Sequence, residues 1–150
     1  MYELKNSPMK NTWITASAML FAMTACAQKI ARKDVPEALR STLQGKYPAA
    51  QVISWEKEDT NYEAVFELRD SQMSVLMDPA GNILETETEI DPGRLPESVV
   101  AYVELNYSGQ RIRGAAKITY ADGTVNYEAE LKGKDLIFDV CGVFIQEITA

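Results

Sequence analysis

The chain has 150 residues, a quarter of them charged, with a formal net charge of −7 and no histidine. That length buries one core rather than several, and the acidic balance, with no basic cluster to offset it, excludes nucleic acid as a partner. The absence of histidine removes the usual Ser-His and Cys-His nucleophile pairs and the commonest metal ligand.

Residues 1–27 read as an export signal. Lys10 precedes an apolar run from Trp13 to Ala25 that is too short to span a bilayer, and polar sequence follows at once. Met9-Lys10-Asn11 is a more natural signal start than Met1. Two processing outcomes stay open. Ala25-Cys26-Ala27 fits cleavage before Gln28, which leaves the domain free in the periplasm or outside the cell. Met23-Thr24-Ala25-Cys26 resembles a lipobox, which would leave Cys26 lipidated and anchor the domain to the cell envelope. A membrane contact is expected only in that second case. Losing Glu3, Lys5 and Lys10 with this segment makes the remainder one unit more acidic.

Gln28 to Lys33 reads as a short linker. A helix follows, because Val35, Leu39, Leu43 and Tyr47 recur every fourth residue as one apolar stripe. Asp34 stands three residues before Glu37 in a capping-box spacing, Pro36 opens the first turn, and Pro48 ends the helix. Asn61 to Leu68 then alternates as a strand, with Tyr62, Ala64, Phe66 and Leu68 inward and Glu63 and Glu67 outward. A turn at Asp59-Thr60 places Trp55 opposite Ala64 and Ile53 opposite Phe66. Met73, Val75 and Met77 lead to a turn at Pro79-Ala80-Gly81-Asn82 and on to Ile83–Ile90.

The second half repeats these marks in order. Leu95, Val99, Val103 and Tyr107 form the second helical stripe, and Pro96 stands near its start. Val35-Pro36-Glu37, Asn61-Tyr62-Glu63-Ala64, Asp78 and Gly81 return as Leu95-Pro96-Glu97, Asn126-Tyr127-Glu128-Ala129, Asp139 and Gly142. Order, spacing and residue type kept together over two such stretches indicate an internal duplication. The interval from Tyr107 to Tyr127 is five residues longer than that from Tyr47 to Tyr62. The added length falls around a hairpin whose tip is Asp122-Gly123. In the expected register Tyr120 faces Val125, Ile118 faces Tyr127 and Lys117 pairs with Glu128. Cys141 has no partner for an intramolecular disulfide, and its apolar neighbourhood predicts a buried, inert thiol, with an intermolecular disulfide as the alternative.

The expected fold class is α+β: a tandem repeat in which each helix is followed by a four-stranded antiparallel sheet, with both helices on one face of a long curved sheet. Repeat 1 covers 34–91 and repeat 2 covers 92–150, as one continuous domain. The proline-opened helix, Tyr47-Pro48, Ser54-Trp55-Glu56, Tyr62-Glu63-Ala64 and Asp78-x-x-Gly81 resemble the PepSY-like, beta-lactamase-inhibitor-like family of exported bacterial proteins. The resemblance spans about residues 34–148 and implies the same tandem architecture outside the cytoplasm. Inhibitors of similar fold bind an enzyme on the concave sheet face, so the resemblance also implies a protein partner. This chain lacks their paired cysteines.

No catalytic, cofactor or metal site is expected. The carboxylates of Glu63, Glu67, Glu128 and Glu130 are expected on a solvated face, with no apolar pocket to raise a pKa. Glu85, Glu87 and Glu89 alternate along one strand and read as an acidic solvent face, with a weak calcium surface as the alternative. Trp55, Tyr62 and Tyr127 read as core. Tyr120, near the tip of the longer hairpin, is the aromatic residue best placed for recognition. The expected partner-binding residues are therefore Lys117, Tyr120, Asp122 and Glu128. The functional expectation is a noncatalytic exported binding module, an inhibitor of or accessory to an envelope protein, with a cation- or small-ligand-binding envelope protein as the alternative.

Overall fold

The computed structural model describes residues 28–149. The expected export signal, its start at Met1 or Met9 and the processing site at Cys26 lie outside the described residues. The strands are β1 (Gln28–Lys29), β2 (Gln51–Glu58), β3 (Asn61–Leu68), β4 (Ser71–Met77), β5 (Ile83–Ile90), β6 (Gly114–Tyr120), β7 (Val125–Leu131), β8 (Lys134–Asp139) and β9 (Phe144–Thr149). They form one antiparallel sheet in chain order. Helix α1 (Glu37–Lys46) precedes β2, and helix α2 (Glu97–Asn106) precedes β6. The halves fuse where β5 pairs with β6, from Glu85↔Tyr120 to Ile90↔Ala115.

Both apolar stripes are buried as their spacing requires. Val35, Leu39 and Leu43 pack with Trp55, Ala64, Phe66, Val75 and Met77. Leu95, Val99 and Val103 pack with Ala115, Ala129, Leu131, Leu136 and Phe138. Each fully buried Leu or Val contributes about 2 kcal/mol. The register shows that the two clusters share one sheet face. Ala64, Val75 and Thr86 are successive cross-strand partners, as are Ile90, Ala115, Ala129 and Leu136. Thr86 and Ile90, four residues apart on β5, point the same way. Both helices therefore cover one face and leave the other without a helix.

The Asp-x-x-Gly motif has a definite job in each copy. Asp78 Oδ1 accepts from the N–H groups of Ala80 and Asn82, each at 2.9 Å. Gly81 sits at φ +88, and a Cβ there would meet Thr42 Oγ1 of α1 at 2.9 Å. In the second copy Asp139 Oδ1 accepts from Cys141 at 2.8 Å and Val143 at 2.9 Å. Gly142, at φ +79, leaves no room for a Cβ against Ser98 of α2. The aspartate ties the turn, and the glycine lets it lie against the helix.

Several expectations are corrected. The capping box does not form: a 3-10 turn at Arg32–Asp34 intervenes, and Pro36 caps α1 without a side-chain hydrogen bond. The segment expected as a linker begins with an edge strand, Gln28↔Lys57 and Lys29↔Glu56. Trp55 does oppose Ala64, but a bulge at Ile53 brings Val52 opposite Phe66. Cys141 is exposed rather than buried, although its turn lies against α2 through Gly142. The largest correction is at the second hairpin. Thr119 opposes Val125, Lys117 opposes Tyr127 and Ala116 opposes Glu128, one residue away from the expected register. The loop is three residues long, Ala121 to Gly123, closed by Tyr120 N–H to Thr124 O at 2.9 Å, with Gly123 at φ +87. A one-residue slip exchanges the faces of one strand's whole side-chain set relative to its partner.

Candidate functional site

The face without helices is where that slip has its effect. Lys117 lies on the helix side, exposed, while Tyr120 and Ile118 join Glu128 on the open side. Asp122 lies at the exposed hairpin tip, where its carboxylate accepts from Thr124 N–H at 2.8 Å and is held below its usual range by that bond. Of the four residues expected to bind a partner, the fold therefore brings Tyr120 and Glu128 onto one face. Asp122 stands at its border, and Lys117 is on the other side.

Cross-strand rows on the open face alternate carboxylates with apolar and small residues. One row runs Glu56, Glu63, Leu76, Glu85, Tyr120. The next runs Ser74, Glu87, Ile118, Asn126, Asp139, and a third runs Glu89, Ala116, Glu128, Ile137, Gln146. A fourth runs Gly114, Glu130, Asp135, Ile148. Ile118, Ile137 and Ile148 form a small apolar cluster with Tyr120 packed against it. Asn126 Nδ2 donates to Tyr120 Oη at 3.5 Å, and burial followed by Glu85 raises the phenol.

Glu67 and Glu89 are exposed, as their alternation suggested, but other carboxylates of this face are not solvated. Glu63, Glu85, Glu87, Glu128 and Asp135 are all buried, each less than a tenth exposed. Their neighbours, long apolar side chains on the adjacent strands, keep water from them and so favour the neutral acid. Burial pushes Glu63 and Glu85 up to about 7, Glu128 to about 8 and Asp135 to about 6. Glu87 is raised well above its usual range, first by burial and then by Glu128, Glu85, Glu63 and Asp135. Only Glu63 has a relieving partner among the causes of these shifts, a hydrogen bond from Ser74. The charged groups acting on Glu87 and Glu128 are all carboxylates.

Among the described residues no group of three or more His, Cys, Asp or Glu side chains is arranged to hold a metal ion. A shallow, open cleft lies over the β5–β7 seam and is lined by Glu87, Glu89, Gly114, Ala116, Glu128 and Glu130.

Asp135, Ile118 and Ile137 were not singled out by sequence reasoning as site residues, and Glu85 and Glu87 only as an alternative calcium surface. A signal existed in the runs Ser74-Val75-Leu76-Met77 and Asp135-Leu136-Ile137-Phe138, which are buried at every position. Continuous rather than alternating apolar character marks a strand sheltered on both faces.

Comparison with known proteins agrees with this architecture. The sequence profile of the family described as beta-lactamase-inhibitor-like, PepSY-like matches twice, over residues 20–85 and 77–146, as fits a tandem repeat. Among solved structures, a DUF2874 family protein from Bacteroides uniformis is 18% identical, with a TM-score of 0.67 over 76% of this chain and 88% of that one. A BLIP-like protein from Bacteroides fragilis is 25% identical, with a TM-score of 0.61 over 77% and 86%. A protein from Bacteroides eggerthii, named as a putative periplasmic protein, is 14% identical, with a TM-score of 0.65 over 77% and 88%. Among curated proteins nothing matches. No helix among the described residues is long and apolar enough to cross a membrane. With both halves matched by one profile and the same fold in three solved structures, the chain belongs to the beta-lactamase-inhibitor-like, PepSY-like family.

Proposed function

We propose that this chain is a noncatalytic binding module of the cell envelope that engages a protein partner through the helix-free face of its sheet. In this reading each copy of the repeat supplies one helix and the four strands after it, and the helices serve as the back of a binding plate. The observation that carries the proposal is the composition of that face. Ile118, Ile137 and Ile148 lie there beside half-buried Tyr120, among buried carboxylates and with no helix above them. Apolar side chains with an aromatic anchor and few free charges are what the centre of a protein interface contains. Membership in an inhibitor-like family and the BLIP-like neighbour support the same direction, as does the periplasmic naming of another neighbour for location. Tyr120, Glu128 and the Asp122 hairpin tip form the contact. Lys117, on the helix side, does not.

The test is affinity capture from native envelope extract with the full-length chain as bait, quantified by mass spectrometry. Tyr120→Ala is expected to lose a captured protein by about tenfold, a typical aromatic anchor effect, while Lys117→Ala retains it. Equal capture by the parent and Tyr120→Ala, or selective loss in Lys117→Ala, would move the site off this face.

A further inference from the structure

The outer side of β2 is only half covered. Among the described residues β1 pairs with it at Lys57 and Glu56, and Ile30 N–H adds one bond to Trp55 O at 2.9 Å. The chain then leaves the sheet at Ala31 and enters the 3-10 turn Arg32–Asp34. Residues 51–54 have no strand beside them among the described residues, and Gln51, Val52 and Ile53 are exposed. An uncovered edge of this kind is a template for another extended chain. The slot is closed at one end by Ile30, and the bulge at Ile53 interrupts any long ladder. It therefore suits a few residues rather than a full strand. Beside it, on the helix side, an open notch is lined by Arg32, Arg40, Leu43, Tyr47, Val52 and Trp55. In a chain of net charge −7 this corner sets two arginines against an apolar wall. Arg32 is exposed and has no ion-pair partner among the described residues. Arg40 gives one amino nitrogen to Glu37, while its Nε is buried with no acceptor among the described residues. A buried donor left unpaired is costly, so an added acceptor is favoured there.

We propose that this edge is a second binding site, separate from the helix-free face, and that it receives the C-terminal end of a partner protein. The last few residues of that partner add as a short strand parallel to β2. Its chain end then arrives at Ile30, where the terminal carboxylate meets Arg32 and Arg40. A chain end fits better than a passing segment, because a strand that ran on would collide with β1. The positive charge also stands at the closed end, since Arg32 follows Ile30 by two residues. Main-chain pairing along the slot supplies affinity, and charge-assisted bonds to the guanidinium groups select the free acid.

The probe is the peptide acetyl-Thr-Val-Thr-Val with a free C-terminal carboxylate, compared with the same peptide ending in a carboxamide. Both are titrated into the ¹⁵N-labelled full-length chain at neutral pH and followed by amide shifts. The free acid is expected to shift the amides of Val52, Ile53 and Ser54. It should bind about tenfold more tightly than the carboxamide, roughly the difference between a charge-assisted and a neutral hydrogen bond. Arg32→Gln, a change at an exposed position that leaves the core untouched, should remove that preference. A third peptide, acetyl-Thr-Val-Asp-Val-amide, carries its carboxylate on a side chain and should bind no better than the carboxamide. Equal binding of acid and carboxamide overturns the inference, as does an absence of shifts at millimolar peptide or a preference that persists in Arg32→Gln. Tighter binding of the aspartate peptide than of the free acid also overturns it, by making the site a receptor for acidic segments. Tyr120→Ala should bind the free acid as the parent does. Loss of binding in that variant would place the peptide on the helix-free face and remove the second site.

Discussion

Replacing Glu63 by glutamine tests the buried acidic face directly. Glu63 is 6% exposed, and burial, partly offset by the Ser74 hydrogen bond, raises its carboxyl from 4.5 to about 7. Because the folded pKa lies above the unfolded one, folding takes up a proton between these values, and stability falls as pH rises. The favourable contribution is complete below about pH 4.5 and is lost as pH climbs through about 7. At about 1.4 kcal/mol per pH unit the gap corresponds to roughly 3 kcal/mol. Glutamine resembles the protonated acid, can still accept from Ser74 and carries no charge at any pH. Glu63→Gln is therefore expected to match the parent near pH 4.5 and to exceed it by roughly 3 kcal/mol at pH 9. Urea unfolding of the full-length chain, followed by far-ultraviolet circular dichroism at pH 4.5, 7 and 9, measures this. A stability difference that does not change with pH, or a variant weaker than the parent at pH 9, would refute burial as the cause.

Three further outcomes follow from the packing. Phe138 is fully buried, 5.4 Å from the Tyr102 ring and 5.8 Å from the Phe144 ring. Phe138→Ala should cost about 3–5 kcal/mol in urea unfolding, and a loss under 1 kcal/mol would mean the second core is not packed as described. Gly81→Ala places a methyl group against Thr42 and Ala38 at positive φ, so it should destabilise by about 1–3 kcal/mol; an unchanged unfolding midpoint would count against the close turn-to-helix contact. In a Cys26→Ala background the exposed Cys141 thiol should react completely with a maleimide without denaturant. Labelling that requires urea would restore the buried-thiol expectation.

The helices were legible because each burial stripe is local. Val35, Leu39 and Leu43, and likewise Leu95, Val99 and Val103, lie within three turns of one another, so spacing alone identifies the buried side. The turns at Asp78–Gly81 and Asp139–Gly142 were legible for a related reason: hydrogen bonding and positive φ are properties of four or five consecutive residues. The capping box was a false local signal, since Asp34 is consumed in the 3-10 turn ahead of α1. The candidate site was read only in part. Tyr120 and Glu128 were named, but Lys117 was paired with Glu128, and Tyr120 set on the opposite face, by a register that differed by one residue.

The sequence by itself determined the duplication, the α+β class, the two helices with their buried sides and the alternating strands between them. These follow from periodicities of a few residues and from repeated marks along one chain. Tertiary structure decided the identity of the open face and its chemistry. The three-residue loop at Ala121–Gly123 set the pairing of β6 with β7, and the fusion of β5 to β6 brought glutamates from both copies together. Whether Glu85, Glu87 and Glu128 are solvated or sheltered depends on side chains of the neighbouring strands, Leu76, Tyr120, Ile118 and Ile137. The energy of a carboxylate is set by what surrounds it in space, and alternation along a single strand carries no record of those neighbours.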